Sequence, residues 1–249
     1  MAADDPPGPL VGAGRTADIY ALGPDRVLRR YRTRHGAERE AELMIYLARA
    51  GFPVPKVYDA SGGDLIMERL PGRDMLADLA RRPWLVTRHA ATLARLHDRL
   101  HTIPAPPTLP CRFGQGDRVV HLDLHPGNIM LTPAGPVVID WNGSAPGDPA
   151  EDVAMAWVII ASSEVDALPV PVRIALSVLR SVLLRRFLAG VHDDPAPVLA
   201  RVARLRMEDP AVRPGEARRL QEIADQASRS QSGGSQAGPP RAGDSRSGP

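Results

Sequence analysis

With 249 residues, 43% of them hydrophobic, and a formal charge of +2, the chain can bury one large domain or two small lobes, and its single cysteine excludes an internal disulfide and a multi-cysteine zinc site. Lys56 is the one lysine among 31 basic residues; Pro55 precedes it and Pro53 stands three positions earlier, which excludes a Gly-Lys-Ser/Thr phosphate loop and a Ser-x-x-Lys hydrolase. A phosphate-binding cation is therefore expected to be an arginine.

Residues 1–9 are acidic and proline-rich, unlike a secretory signal, and read as a disordered lead. Leu10–Gly14, Ala17–Leu22 and Arg26–Tyr31 are short runs parted by glycine and Gly-Pro turn signals, as in a small antiparallel sheet. Gly36–Ala50 then has Ala41, Met44, Ile45, Leu47 and Ala48 at helical spacing and closes on Gly51. Val54–Asp59 and Asp64–Leu70 resume strand character. Beyond Pro71-Gly72 the pattern is helical: Met75–Arg81 and Thr87–Thr102, then, after the segment Val119–Asp140, Val153–Ala161, Val170–Val191, Pro197–Met207 and Pro214–Ala227. Residues 228–249 are Ser, Gly, Pro, Ala, Arg, Gln and Asp only and read as a disordered tail. The longest apolar runs, Val153–Ala161 and Ala167–Val172, are far short of the ~20 residues that span a bilayer, so a soluble cytoplasmic protein without membrane contact is expected. The layout is α+β with two lobes, residues 10–70 and 71–227.

The chemistry concentrates in His121-Leu-Asp-Leu-His-Pro-Gly-Asn-Ile-Met-Leu and the following Pro136-Val-Val-Ile-Asp140-Trp. His121, Asp123 and Asn128 are spaced H-x-D-x-x-x-x-N, and an apolar strand ends in Asp140. If Leu131 pairs with Val137 across the turn, Asn128 falls opposite Asp140, and an amide oxygen and a carboxylate meet at the open end of the hairpin. Such hard oxygens suit Mg²⁺ carried on a nucleotide phosphate.

HLDLHPGNIML, VVIDW and GDPAEDVA together resemble the aminoglycoside phosphotransferase and choline kinase group, small-molecule kinases with a bilobal protein-kinase-like fold. The resemblance implies that Asp123 orients the acceptor hydroxyl and takes its proton, that Asn128 and Asp140 hold Mg²⁺, and that His121 and Asp152 support the loop. It usually has glycine where this chain has Leu122. It also implies a nucleotide clamp in residues 10–70: Gly12 and Gly14 over the phosphates, Val27 over the base, Arg29 in place of the usual lysine with Glu40 as its ion-pair partner, and Glu68 and Leu70 offering backbone groups to adenine behind Met67. Arg30 competes with Arg29, and Glu38 and Glu42 with Glu40.

The implied activity is transfer of the γ-phosphoryl group of ATP (or GTP), with Mg²⁺, to a hydroxyl of a small molecule. Only eleven residues separate Asp140 from Asp152, too few for a peptide-docking segment. The later acids Glu164, Asp166, Asp193, Asp194, Glu208 and Asp209 are interspersed with arginines, so a polycationic aminoglycoside is not specifically indicated. Arg29 motivates an alternative, a nucleotide-binding pseudokinase, and the arginine content a second, a nucleic-acid-binding module. His97 and His101 have the four-residue spacing of a helical metal pair, but no third ligand accompanies them and a structural role is expected.

Overall fold

A computed structural model describes residues 8–14, 16–33, 36–111, 116–163 and 169–234. The expected lead up to residue 7 and the tail from 235 lie outside them, as do Glu164 and Asp166. Strands β1 (Leu10–Ala13), β2 (Ala17–Ala21), β3 (Arg26–Tyr31), β4 (Val57–Ser61) and β5 (Asp64–Glu68) form one antiparallel sheet in the order β1-β2-β3-β5-β4. Helix α1 (Ala37–Arg49) packs on β4 and β5. Its buried stripe is Ala37, Glu40, Ala41, Met44 and Leu47, so helical periodicity places the Glu40 carboxyl in the interior with the apolar side chains. Gly51, at φ 78, turns the chain out of the helix in the left-handed region that glycine tolerates.

The second lobe has β6 (Arg73–Asp74), α2 (Met75–Arg81), α3 (Val86–Leu100), β7 (Arg118–Val120), β8 (Ile129–Thr132), β9 (Gly135–Val138), β10 (Ala145–Gly147), α4 (Pro149–Ser162), α5 (Val170–Leu188), α6 (Leu199–Met207) and α7 (Pro214–Gly234). β6 joins the β8–β9 hairpin, and β10 pairs with β7, so both flanks of the segment from His121 to Asp140 are strapped into small sheets. Helix α4 starts at Pro149, four residues before the apolar run, because the Asp148 side chain accepts from Ala150 N (2.9 Å) and proline suits a first helical position. It is apolar all round because two cores bury it, one shared with α3 and α5, the other with α6 and α7. The first core is continuous between lobes: Leu47 and Phe52 share it with Trp141, Leu93 and Phe187.

The expected boundary at residue 227 falls inside α7, which runs to Gly234. Its polar last turns are tied down by Arg204 Nη2 on Ser228 Oγ (2.9 Å) and Gln231 Nε2 on Ala196 O (3.0 Å). No helix among the described residues is long and apolar enough to cross a membrane.

Candidate active site

Between the five-stranded sheet and the helical lobe lies a cleft of about 690 Å³. Ile19, Val27 and Met67 line it from the sheet, Leu122, Met130 and Ile139 from the second lobe. Gly12 and Gly14 border it, as do Glu68 at the end of β5 and Leu70 of the segment that follows. A Cβ on Gly14 would stand 3.0 Å from Ala17 O, so this close turn favours glycine; Gly12 sits at a register shift in β1 and has room for a side chain. Glu68 N already donates to Lys56 O (2.8 Å).

Asp123 stands on a loop whose backbone is held from beneath. The fully buried Asp152 carboxylate accepts from His121 N (3.1 Å) and Leu122 N (2.6 Å). Leu122 has φ 62, a left-handed conformation uncommon for a leucine, which explains on steric grounds why glycine suits this position. Burial of the leucine side chain against Val120 and Ala145 offsets that cost, since burying a leucine contributes about 1.5–3 kcal/mol. His121 Nε2 donates to Ile139 O (3.1 Å), while Nδ1 accepts from Asp123 N (3.2 Å), so the ring is neutral with its proton on Nε2. It packs on Trp141 at a ring separation of 4.6 Å.

The Asp123 carboxylate is 40% exposed towards the cleft. Asn128 Nδ2 donates to its Oδ2 (3.0 Å) and to its backbone oxygen (2.9 Å). His125 Nε2 lies 3.7 Å from Oδ1. Burial holds the His125 imidazole below the ordinary histidine range, the neighbouring Asp123 notwithstanding.

The hairpin register differs from expectation by one residue. Leu131 pairs with Pro136, not Val137, and Asn128 therefore faces Ile139, whose N–H donates to Asn128 O (3.0 Å). The cause is a two-residue turn, Pro133-Ala134, closed by Thr132 opposite Gly135 at φ 128. Asp140 leaves the strand pattern altogether: at φ 67 and ψ 63 it is left-handed, and its carboxylate, 42% exposed, lines the cleft.

Period 2 along β3 puts Val27, Arg29 and Tyr31 on one face, and Arg29 lines the cleft beside Asp140. Its Nη1 donates to Glu40 Oε1 (3.2 Å) and its Nη2 to Asp140 Oδ1 (2.5 Å), while Nε is buried without a partner. Glu40 also accepts from Tyr31 Oη and from Trp141 N (2.9 Å). Burial pushes the Glu40 carboxyl up, with Arg29 opposing. Burial lowers Arg29 in turn, but Glu40 and Asp140 outweigh it and hold its pKa above the usual arginine value. Arg30 points elsewhere, gripping Asp64 at 2.9 and 2.8 Å. Glu38 accepts from Gly62 N (2.6 Å), and Glu42 lines a separate surface recess.

Residues 9–115 and 104–177 match the sequence model of the phosphotransferase enzyme family. The chain belongs to that family. Comparison with curated proteins finds no match. Among solved structures, a thermostable mutant of aminoglycoside phosphotransferase APH(4)-Ia, apo form, is 16% identical over 90% of this chain and 94% of its own, with a TM-score of 0.62. ADP-bound APH(2'')-Ib is 14% identical over 88% and 93%, with a TM-score of 0.59. Aminoglycoside-3'-phosphotransferase of type VIII is 20% identical over 87% and 90%, with a TM-score of 0.52. This phosphotransferase thus shares their protein-kinase-like fold.

Within the phosphotransferase, Asp123, Asp140, Arg29, Gly12, Gly14, Met67, Glu68 and Leu70 all border one cleft. Glu40, His121 and Asp152 are buried behind it and reach it through Arg29 and the loop backbone. Three participants escape sequence reasoning. Tyr31 holds Glu40, and its place beside Arg29 on the β3 face was a usable signal. His101 contacts Asp152, and Arg206 lines the cleft from the end of α6. No local pattern links His101 to Asp152 or marks Arg206.

Proposed function

We propose that this phosphotransferase moves the γ-phosphoryl group of ATP, carried with Mg²⁺, to a hydroxyl of a small molecule. The observation that carries this reading is the placement of Asp123: a half-exposed carboxylate, oriented by Asn128 and a doubly anchored loop, in the same cleft as Asp140 and the glycine turn. A carboxylate so placed can orient an acceptor hydroxyl and take its proton. Supporting relatives of the fold include APH(4)-Ia (N203A) in ternary complex with AMP-PNP and hygromycin B and APH(2")-IIa with streptomycin and ATP. For the base, Val27 and Met67 would form the roof, and backbone groups of Glu68 and Leu70 would meet its edge. GTP would fit the same frame.

The residues fit a nucleotide-borne divalent ion. Among the described residues no three His, Cys, Asp or Glu side chains group to hold a metal by themselves. Asp140 keeps Oδ2 clear of Arg29, and Asn128, having turned its amide nitrogen to Asp123, keeps Oδ1 as an acceptor. Asp140 and Asn128 would hold Mg²⁺, with phosphate and water oxygens completing its shell. The ion would neutralise charge on the transferring phosphoryl group.

On the acceptor side Met155, Leu205, Arg206 and Asp209 line the cleft, and Arg206 Nη1 is paired to Asp209 (3.0 Å) with Nε 3.4 Å from Glu216. The two charged side chains that line this wall, Arg206 and Asp209, are paired to each other, so Asp209 is not a free acid for a polycation, and a neutral or singly charged alcohol is the proposed acceptor. An ATP-consumption screen over hydroxyl metabolites and aminoglycosides should give its highest kcat/KM with the former. A leading aminoglycoside would reverse the acceptor assignment, and the absence of any Mg-ATP turnover would remove the enzyme reading.

A second reading, a nucleotide-binding protein with little catalysis, is favoured by the 2.5 Å contact that places Arg29 on the Asp140 carboxylate. Arg29→Lys separates the two. A lysine can keep Glu40 but lacks the fork that spans both acids, so Asp140 is released. Mg-ATP affinity by calorimetry should be preserved or raised and turnover should increase. A loss of affinity beyond about tenfold, or 1.4 kcal/mol, would show that the guanidinium itself is required.

A further inference from the structure

Behind the loop that carries Asp123 lies a chain of hydrogen bonds and ion pairs that the phosphotransfer chemistry does not use. His101, at the end of α3 and buried, lies between two acids: Nε2 is 3.1 Å from Asp152 Oδ2 and Nδ1 is 2.8 Å from Asp193 Oδ2. Asp152 is the same carboxylate that holds the His121 and Leu122 amides. Asp193 follows α5 and is 32% exposed. The segment carrying it is fastened to α3 by His192, whose N donates to Asp98 Oδ1 (3.0 Å) and whose Nδ1 meets Asp98 Oδ2 (2.9 Å). A neutral imidazole has one N–H and can donate to only one of the two carboxylates; an imidazolium donates to both.

We propose that His101 is a positioning residue for the catalytic loop: as an imidazolium it ties exposed Asp193 to buried Asp152, and Asp152 in turn holds the His121–Leu122 backbone that presents Asp123. The role rests on Asp123 being the group that activates the acceptor hydroxyl.

The surroundings favour the charged form. Facing His101 are Asp152 of α4, Asp193 of the segment after α5, and His97, whose ring lies 5.7 Å away. His121 approaches from the loop side of Asp152. His97 cannot substitute as the cation: it donates Nδ1 to Leu93 O (3.0 Å), Nε2 has no partner, and burial lowers its pKa to about 4. For His101, burial works downward, but Asp152 and Asp193 carry it above the ordinary histidine range. Burial raises Asp152, but the hydrogen bond from His101, with the charge of its imidazolium, works against this, and the carboxyl is held well below the usual carboxylate range. The sign follows: a histidine raised on folding contributes stability in full below its unfolded pKa of about 6.5, and loses it as pH climbs through the folded value.

The test follows Mg-ATP turnover and the His101 imidazole NMR titration against pH in the full chain, with Asp193→Asn and His101→Gln in parallel. In the unaltered protein kcat should fall on the alkaline side where His101 loses its proton, with KM for ATP unchanged. Asp193→Asn should move the imidazole titration and the kcat limb down in pH together. His101→Gln, which can donate to Asp152 but carries no charge, should remove the limb and lower kcat about tenfold, less than the ~100-fold cost of a 1 Å misplacement of a reacting group. An alkaline limb that stays in place in Asp193→Asn while the imidazole titration moves overturns the proposal. Hydrogen-exchange protection of the Leu122 amide gives a readout without turnover and should weaken over the same pH range. Protection that tracks His101 in a protein without ATP turnover would uphold the brace and refute the phosphotransfer reading; protection indifferent to His101 would overturn the brace.

Discussion

Asp123→Asn is expected to lower kcat for phosphoryl transfer by about 10²–10⁴-fold, the usual contribution of a positioned acid–base group. The melting temperature and Mg-ATP affinity should stay close to those of the unaltered protein. The carboxylate is 40% exposed, so its loss strands no buried charge. An amide oxygen can still accept from Asn128 Nδ2, which now bonds Oδ2 at 3.0 Å. What the amide lacks is the ability to take a proton from the acceptor. The loop itself is held by Asp152 through His121 N and Leu122 N, neither of which the substitution touches. Kinetics against Mg-ATP, with a thermal scan on the same sample, separate these effects. Retention of more than a tenth of kcat would remove Asp123 from the chemistry. A large fall in melting temperature would instead make it a structural residue.

Much of this geometry is legible in the sequence because short-range periodicity sets it. Alternation along β3 groups Val27, Arg29 and Tyr31, and the α1 repeat turns Glu40 inward, so the Arg29–Glu40 pair follows from two local patterns meeting across eleven residues. Features set by one-residue detail are not legible in the same way. The Pro133-Ala134 turn moved the hairpin register by one and put Ile139 opposite Asn128. The left-handed turn at Asp140 then restores a cleft-facing carboxylate that strand alternation alone does not supply. β6 and β10, of two and three residues, are too short to show a period. His101 is separated from Asp152 by 51 positions and from Asp193 by 92, and no local rule links residues so far apart. The polar end of α7 reads as disorder by composition, yet its serine and glutamine side chains are fixed by bonds to α6 and to the segment before it.

Glu40→Ala is expected to cost about 3–5 kcal/mol of stability, the range for breaking a buried ion pair from one side. The Glu40 side chain is 2% exposed and serves three donors at once: Arg29 Nη1, Tyr31 Oη and Trp141 N. Its removal leaves the Arg29 guanidinium, 7% exposed, with Asp140 as its remaining acid. It also leaves a buried backbone N–H at Trp141 and a tyrosine hydroxyl without acceptors, each costing about 1–3 kcal/mol when unsatisfied. Glu40→Gln keeps one amide oxygen for these donors and should cost less. Tyr31→Phe removes a single donor and should cost about 0.5–1.5 kcal/mol. Urea unfolding of the three variants tests that order, and a Glu40→Ala loss below 1 kcal/mol would contradict it. The consequence reaches the site because Glu40 joins α1 of the first lobe to the residue after Asp140 in the second. Without it Arg29 and Asp140 hold each other alone, with nothing fixing the pair against α1. Mg-ATP affinity should therefore fall in Glu40→Ala even under conditions where the variant remains folded, and an affinity equal to that of the unaltered protein would confine Glu40 to a purely structural role.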